Sequence, residues 1–590
     1  MGVLVSYEDW RGNEVTVPDQ TLEAIVAALS DAPPPRPDPG LAAGPAAMAP
    51  VPRRRSWGFT VQLYSLRSRD SWGHGDLHDL ADLAAWSARS LGADFVLINP
   101  LHAAEPVPPV SPSPYLPMSR RWVSPLYLRI EDIPEFASVD ASERARVTAL
   151  GAPLRAASGT AALIDRDAVW TAKRAALEAI RKVPLSPRRQ ASLDEFRVRH
   201  GRSLGDWATW CAIAEMHGPD YRAWPPSLRD PRSAEVAVLR GQLAARAEFH
   251  IWVQWLVASQ VAAAQEAARA AGMTIGIVHD LAVGAHPGGA DAWAGQDVFV
   301  RGFSVGAPPD EFNQRGQDWT LPPWHPGHLA ARSYQPLAEL IGSAARAGGG
   351  LRMDHVMGLT RLWWIPAGMS PDQGAYVRYD AEATLGVLAA SAAAAPAIAI
   401  GEDLGTVEPW LRSALADRGV LGTSMLWFER GQDGMPLPPA RWRRECLATV
   451  STHDMPPAAA FLTGSQVTER AGLGLLSRPE AEERAEAGMA LRAWLAALAR
   501  EGLLPPDSQP CADTFTVALY AYLARTPALL IGVSLAEAAG ERRAQNMPGT
   551  TTEYPNWRLP LCGPDGQPVL LEDLPASARV RAVARAAAGA

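Results

Sequence analysis

The chain has 590 residues, 47% of them hydrophobic, and its 55 basic and 63 acidic side chains give a net charge of −8. That length and apolar content support a core larger than an ordinary single domain requires, so one large catalytic unit carrying insertions is expected. The mild charge, with no basic run longer than Arg53-Arg54-Arg55, argues against nucleic acid or a membrane as partner, and the lack of a spanning-length apolar stretch or a signal core predicts a cytoplasmic protein.

Residues 1–32 read as a small N-terminal element, with 21–29 apolar at helical spacing. A Pro-rich, Ala/Gly-rich linker is predicted over 33–56, extended and without packing of its own. From Trp57 onward, short apolar runs alternate with helical segments and loops. The runs are 58–63, 95–98, 274–278, 351–353, 397–400, 423–428, 448–450 and 528–533. Eight is the number that closes a (β/α)8 barrel, so the predicted fold class is α/β, a TIM barrel over 57–590. The gap between the second and third runs is too long for one crossover helix. Its Ala/Arg/Glu-rich segments 168–180, 191–198 and 235–270 have helical spacing and predict a mainly helical insertion at about 130–245, between strands 2 and 3.

Three of the runs end on an acid: Arg352-Met-Asp354-His355, Gly401-Glu402-Asp403-Leu-Gly405 and Ser451-Thr-His453-Asp454. A parallel barrel presents the C-terminal ends of its strands around one mouth, where function resides. Retaining glycoside chemistry needs one carboxylate to attack the anomeric carbon and a protonated one to release the leaving oxygen, about 5–5.5 Å apart. A third acid grips the sugar as positive charge develops. The short Asp354 suits the nucleophile, the longer Glu402 the acid/base, and Asp454 the third place. Arg352, two residues before Asp354 on a strand, points the same way and is expected to fork onto it. His355 and His453 are expected to offer donors to sugar hydroxyls. A metal site built from Asp354, His355, His453 and Asp454 is the competing reading, and it lacks tight ligand spacing. Cys211, Cys446, Cys511 and Cys562 form no CxxC pair and are expected as buried free thiols.

With these motifs, the chain resembles the 4-α-glucanotransferases, also called amylomaltases or disproportionating enzymes, a barrel family of the α-amylase clan. The resemblance runs from about Trp57 to Leu561. It includes Ser113-Pro-Tyr115, His279-Asp280, the block from Val305 through Asp310 and Gln317 to Trp319, Asn546-Met-Pro-Gly549 and Tyr554-Pro-Asn-Trp557-Arg558. It implies Asp354 as nucleophile, Glu402 as acid/base and Asp454 as transition-state stabiliser. Tyr115, Asp280, Asp310, Trp319, Arg352, His355, His453 and Asn546 are then expected around the sugars. It also implies a lid loop at about 303–322, between strands 3 and 4. Pro308-Pro309 would stiffen that loop, Gly306 and Gly316 would turn it, and Trp319 would offer a flat face to a pyranose. The segment after Asp280, with His286 and Asp291, departs from the commonest pattern of the family.

The expected activity is transfer of α-1,4-glucan segments from a maltodextrin donor to the 4-hydroxyl of a glucose or maltooligosaccharide acceptor, with retention and without metal or organic cofactor. An α-1,4-glucan hydrolase of the same clan, or a non-catalytic glucan-binding protein, would be the alternatives.

Overall fold

A computed structural model describes residues 2–9, 12–30, 47–310 and 315–589. Its centre is a closed barrel of eight parallel strands: β1 (Ser56–Val61), β2 (Phe95–Ile98), β3 (Gly276–Leu281), β4 (Gly350–Met353), β5 (Ile398–Gly401), β6 (Val420–Met425), β7 (Cys446–Thr449) and β8 (Leu530–Ser534). Each strand pairs with its sequence neighbour, and β8 closes onto β1 with Gly532 opposite Gly58. The eight runs expected from the sequence are these eight strands, displaced by a few residues. The sixth is displaced most: its apolar run continues into a 3-10 turn, Leu426–Phe428, where Leu426 and Trp427 are buried against helices outside the barrel. An apolar run marks burial, which a turn can provide as well as a strand.

The two-residue period of the strands divides the barrel interior by height. Phe95, Leu97, Val278, Ile398, Ile400, Leu421, Leu447 and Leu530 form one buried apolar cluster. One or two steps of two further along the same strands come Asn99, Asp280, Glu402, Thr423, Thr449 and Ser534. The interior is therefore dry below and polar at the C-terminal mouth. On alternate positions Leu351 and Ala399 pack outward with Leu340, Ile341, Leu385 and Leu388 of the surrounding helices.

Between β2 and β3 lie helices Ala141–Ser158, Arg166–Ile180, Pro187–His217 and Ala234–Gln242, followed by Ala244–Ala270, which leads into β3. One expectation is corrected here. The predicted 191–198 helix is part of a much longer one that bends at Gly201 (φ 48°, ψ −130°). The 235–270 segment of helical spacing forms two helices that meet at Leu243 (φ −94°, ψ 12°), close to the expected end of the insertion at about 245. A second helical excursion, absent from the sequence reading, lies between β7 and β8: Ala458–Thr463, Ser465–Gly472, Glu480–Arg500 and Ala512–Ala524.

The block expected as a loop at 303–322 is mostly a β-hairpin. Phe303–Ala307 and Gln317–Leu321 pair antiparallel and extend a four-stranded sheet with Arg361–Pro366 and Ala375–Arg378. Gly306 is a strand residue here, not a turn: a Cβ on it would stand 1.9 Å from the Gln317 carbonyl oxygen. Residues 311–314, between these two strands in sequence, are outside the described residues. The N-terminal element holds the expected helix, Asp19–Leu29, and also a hairpin of Ser6–Glu8 with Glu14–Thr16 that the sequence reading missed, because three-residue strands carry no period. It docks on the back of the four-stranded sheet. Tyr7 meets Trp363 edge-on at 4.9 Å, and Leu4 N–H donates to Tyr376 O at 2.9 Å. Most of the predicted linker, 31–46, lies outside the described residues. Among the described residues no helix is long and apolar enough to cross a membrane. Cys211, Cys446 and Cys562 are buried free thiols as expected, whereas Cys511 is exposed because it precedes the helix Ala512–Ala524 at the surface.

Strand β4 approaches β3 through Gly349, whose N–H donates to Ile277 O at 2.8 Å and where a Cβ would fall 1.6 Å from the Ile275 carbonyl oxygen. Gly349→Ala should therefore force the two strands apart and lower unfolding free energy by about 2–4 kcal/mol. The check is the shift of the denaturation midpoint at constant slope; a loss under about 0.5 kcal/mol would mean the strands have room to spare.

Candidate active site

The mouth of the barrel is organised by strand register. Arg352 on β4 lies directly opposite Asp280 on β3, and both side chains point inward. Arg352 Nη1 donates to both Asp280 oxygens, at 2.7 and 2.8 Å, and Nη2 lies 3.0 Å from Asp354 Oδ1. The expected fork onto Asp354 is thus shared between two acids, with the tighter end on Asp280, because register places Asp280 alongside while Asp354 lies beyond the strand end. Asp280 is 1% exposed and Arg352 9%, so charges this deep require each other.

Glu402 leaves β5 one step later. Its Oε2 accepts from His355 N–H at 3.0 Å and its Oε1 from Leu404 N–H at 2.7 Å. The first bond depends on an unusual backbone: His355 has φ 47°, ψ 60°, the left-handed region that only a few non-glycine residues adopt. That turn aims the amide of the residue following Asp354 at the neighbouring acid. The His355 ring packs edge-on against Trp319 of the lid hairpin at 5.1 Å. Burial, with the Arg361 charge, drives the His355 imidazole down to about 4, so it is neutral at neutral pH.

On the far side, Asp454 Oδ2 is 3.1 Å from His453 Nε2, and Asp454 Oδ1 accepts from Asn546 Nδ2 at 2.7 Å. Tyr115 links this side to Asp280, donating its hydroxyl to Asp280 Oδ2 at 2.7 Å while its ring stacks on His453 at 4.8 Å. Trp557, quoted in a motif but given no role by the sequence reading, closes the group. Its ring lies 5.3 Å from Tyr115 and 5.2 Å from His453, and its φ of 61° is again left-handed. A non-glycine residue at positive φ leaves no trace in a sequence, so this contact was not readable there.

Electrostatics separates the acids. Burial raises Asp354 to about 6 and Glu402 to about 7, the latter helped by the negative charge of Asp354. The order has a structural cause: Asp354 has a guanidinium in contact, whereas Glu402 holds only neutral backbone donors. Asp454 behaves in the opposite way. Burial raises its carboxyl, but the His453 charge and hydrogen bond, with Asn546, outweigh that and leave it below the ordinary range. His453 is raised correspondingly, since Asp454 outweighs the opposing effect of burial. Although walled by protein, Asp454 keeps 46% of its side chain open to the cleft, against 20% for Asp354.

Of the residues expected from the sequence, Tyr115, Asp280, Arg352, Asp354, Glu402, His453, Asp454 and Asn546 meet in this one mouth, with His355 and Trp319 joining its floor to the antiparallel sheet. Asp310, just beyond the strand Phe303–Ala307, acts through its charge on Tyr376 of the four-stranded sheet. Asp291 accepts from Ser119 Oγ and Arg120 N–H, so it braces the loop after β2. The His286 ring accepts from Gly288 N–H in its own turn. Asp403, which the sequence reading passed over, lies fully buried beneath Glu402 in a salt bridge with Arg443. Among the described residues no group of three or more His, Cys, Asp or Glu is arranged to hold a metal.

The family model described as 4-alpha-glucanotransferase matches residues 61–564. The chain belongs to the 4-alpha-glucanotransferase family. It is 53% identical to the 4-alpha-glucanotransferase of Mycobacterium tuberculosis over 543 residues, 90% of this chain and 75% of that one. It is 34% identical to the 4-alpha-glucanotransferase of Haemophilus influenzae over 538 residues, 87% of this chain and 76% of that one. Among solved structures, the amylomaltase from Corynebacterium glutamicum superposes with a TM-score of 0.89 at 36% identity, covering 99% of this chain and 98% of that one. The (β/α)8 barrel of this 4-alpha-glucanotransferase is thus shared with a structurally characterised amylomaltase.

Arg352→Ala leaves Asp280 and Asp354 as unpaired buried charges and should lower unfolding free energy by about 3–5 kcal/mol at neutral pH. Arg352→Lys should recover only part of that loss, since an ammonium cannot serve two carboxylates in the planar geometry of a guanidinium. Denaturant titration of both variants measures it; wild-type stability in Arg352→Ala would remove the pairing from the account.

Proposed function

We propose that this 4-alpha-glucanotransferase works by double displacement on α-1,4-glucans, with Asp354 as nucleophile, Glu402 as acid/base and Asp454 as the acid that steadies the transition state. The observation that carries this reading is the unlike surroundings of two acids at one barrel mouth: Arg352 contacts Asp354 and favours its ionised form, while Glu402, beside that charge and held only by backbone N–H groups, is pushed towards its protonated form. We assign the attack to Oδ2 of Asp354, the oxygen Arg352 does not hold. As it bonds to the anomeric carbon, the glycosidic bond breaks and its electron pair leaves on the 4-oxygen of the departing glucan, which takes the Glu402 proton. In the second half the acceptor 4-hydroxyl gives its proton to Glu402, and its oxygen displaces Asp354 from the same carbon. Two inversions give net retention, and neither half requires metal or organic cofactor.

Asp454 is held ionised by His453 and Asn546 yet open to the cleft, as suits a group that grips sugar hydroxyls when positive charge develops on the ring. Tyr115, Asp280 and Arg352 form the wall behind the reacting sugar. Trp319 offers it an apolar face from the lid hairpin, and Asp310 lies at the lid tip. Transfer outruns hydrolysis when the lid holds an acceptor sugar in place, because a positioned hydroxyl has an effective concentration far above that of loose water. The donor is a maltodextrin and the acceptor glucose or a maltooligosaccharide, in keeping with a cytoplasmic enzyme. A plain glucan hydrolase is the second reading, since it would use the same acids.

Maltotriose distinguishes the two: longer oligomers appearing with glucose mark transfer, and shortening alone marks hydrolysis. Asp354→Asn should reduce kcat by about four orders of magnitude while leaving the thermal transition near wild type. Retained turnover in that variant would falsify the nucleophile assignment. The pH profile follows from the two acids. Activity is lost as pH falls through about 6, where Asp354 takes up a proton, and again as pH rises through about 7, where Glu402 loses its own. A narrow bell in kcat/KM is expected; a rate still climbing at pH 9 would contradict the acid role of Glu402.

A further inference from the structure

The segment that carries His453 and Asp454, residues 451–458, runs without regular structure from the end of β7 to the helix Ala458–Thr463. Beneath it, inside the barrel mouth, lies a cavity of about 90 Å3 whose lining includes Ser451, His453, Pro457, Gln545 and Glu537. Across that cavity the middle of the segment is held by the His453 ring against Tyr115 and Trp557 and by Asn546 N–H donating to His453 O at 3.1 Å, and its two ends are held by hydrogen bonds of their own.

Both ends meet one carboxylate. Glu537, 5% exposed, accepts from Ser451 Oγ at 2.8 Å and from Ala458 N–H at 2.8 Å, both on Oε1. Its Oε2 accepts from the Tyr520 hydroxyl at 2.5 Å, and that hydroxyl in turn accepts from the N–H of Ser534, the last residue of β8, at 3.0 Å. Glu537 itself sits on the short helix Leu535–Ala539 directly after β8. The ends of the 451–458 segment are therefore tied, through one side chain, to the neighbouring barrel strand. All three partners of Glu537 are donors, which an ionised carboxylate satisfies and an alanine leaves orphaned.

We infer that Glu537 is a positioning residue for glucan transfer: by clamping both ends of the 451–458 segment to the end of β8, it holds Asp454 and His453 in place opposite Asp354 and Glu402. It acts through Asp454, so the inference rests on the role proposed above for that acid. Its effect belongs to the transition state more than to substrate affinity, because a displaced Asp454 loses the contact that strengthens as charge develops.

The test is maltotriose disproportionation by full-length Glu537→Ala, Glu537→Gln and Ser451→Ala, each alone and combined with Asp454→Asn. Glu537→Ala should lower kcat by about 30-fold with KM within about twofold, and Glu537→Gln, which keeps one oxygen for Ser451 and Ala458, should recover part of that. In the Asp454→Asn background the same Glu537→Ala change should cost less than about threefold more, since the group it positions is already disabled. A merely structural role would give the full loss in both backgrounds, and that additivity would overturn the inference, as would an unchanged kcat in Glu537→Ala. If Glu537→Ala does not fold, Ser451→Ala decides, since it leaves Glu537 and Tyr520 in place. A kcat loss of about fivefold that vanishes beside Asp454→Asn supports the clamp, and wild-type kcat rejects it. Asp454→Asn that keeps wild-type turnover would sink the role of Asp454 and this inference together, whereas the other adverse outcomes strike Glu537 alone.

Discussion

Arg352 lies between two carboxylates inside the barrel, and without it Asp280 and Asp354 would face each other across adjacent strands as unscreened like charges. Its position follows from the pairing of β3 with β4, which sets residue 352 against residue 280 before any side chain is considered. Once the guanidinium is there, Asp280 has two of its bonds and can also receive the Tyr115 hydroxyl, and Tyr115 stacks on His453. A chain of contacts thus runs from the buried ion pair to Asp454, Asn546 and Trp557 on the opposite rim. The site forms one connected network, anchored where the barrel is most rigid.

The same ion pair separates the tasks of the acids. Two carboxyl groups withdrawn from water both resist ionisation, and chemistry needs them to differ. Contact with Arg352 favours the charge on Asp354, and that charge in turn keeps the proton on Glu402. The left-handed turn at His355 completes the arrangement, since it swings an amide N–H onto Glu402 from the residue after Asp354. Strain of this kind costs about 1–3 kcal/mol and persists where the surroundings over-determine it. Here the ends of β4 and β5 do so, with Asp354 N–H held by Leu281 O and Val356 N–H by Glu402 O.

The means by which the side chains are held change from the floor of the site to its edges. Asp354 and Glu402 leave their strands within one residue, so the sheet itself aims them. Asp454 stands five residues beyond β7, on a segment bridging a cavity, and depends on hydrogen bonds from other elements. The lid hairpin is further removed: it belongs to a separate antiparallel sheet whose back is covered by the N-terminal element through Tyr7, Leu4 and Thr21. Trp319 on this sheet reaches down to His355 on the barrel floor.

The sequence alone determined the barrel and its acids, because both follow from local pattern. Short apolar runs bounded by breakers mark buried segments, which here form the barrel strands to within a few residues, and an acid one residue past such a run stands at a strand end. Asp354 and Glu402 were legible for that reason. The helical insertion was legible from its spacing, as was its end near 245, but its kink at Gly201 was not, since a single altered dihedral leaves the composition unchanged. The lid read as a loop because Pro308, Pro309 and Gly316 are turn residues, yet pairing with Arg361–Pro366 made it a hairpin. Only the tertiary structure could decide that Arg352 gives its tighter grip to Asp280, that Trp557 closes on Tyr115, and that Glu537 ties down the segment bearing Asp454. Each of these contacts joins residues 72 or more positions apart, and register, left-handed turns and buried hydrogen bonds across such distances are set by how strands and helices settle against one another.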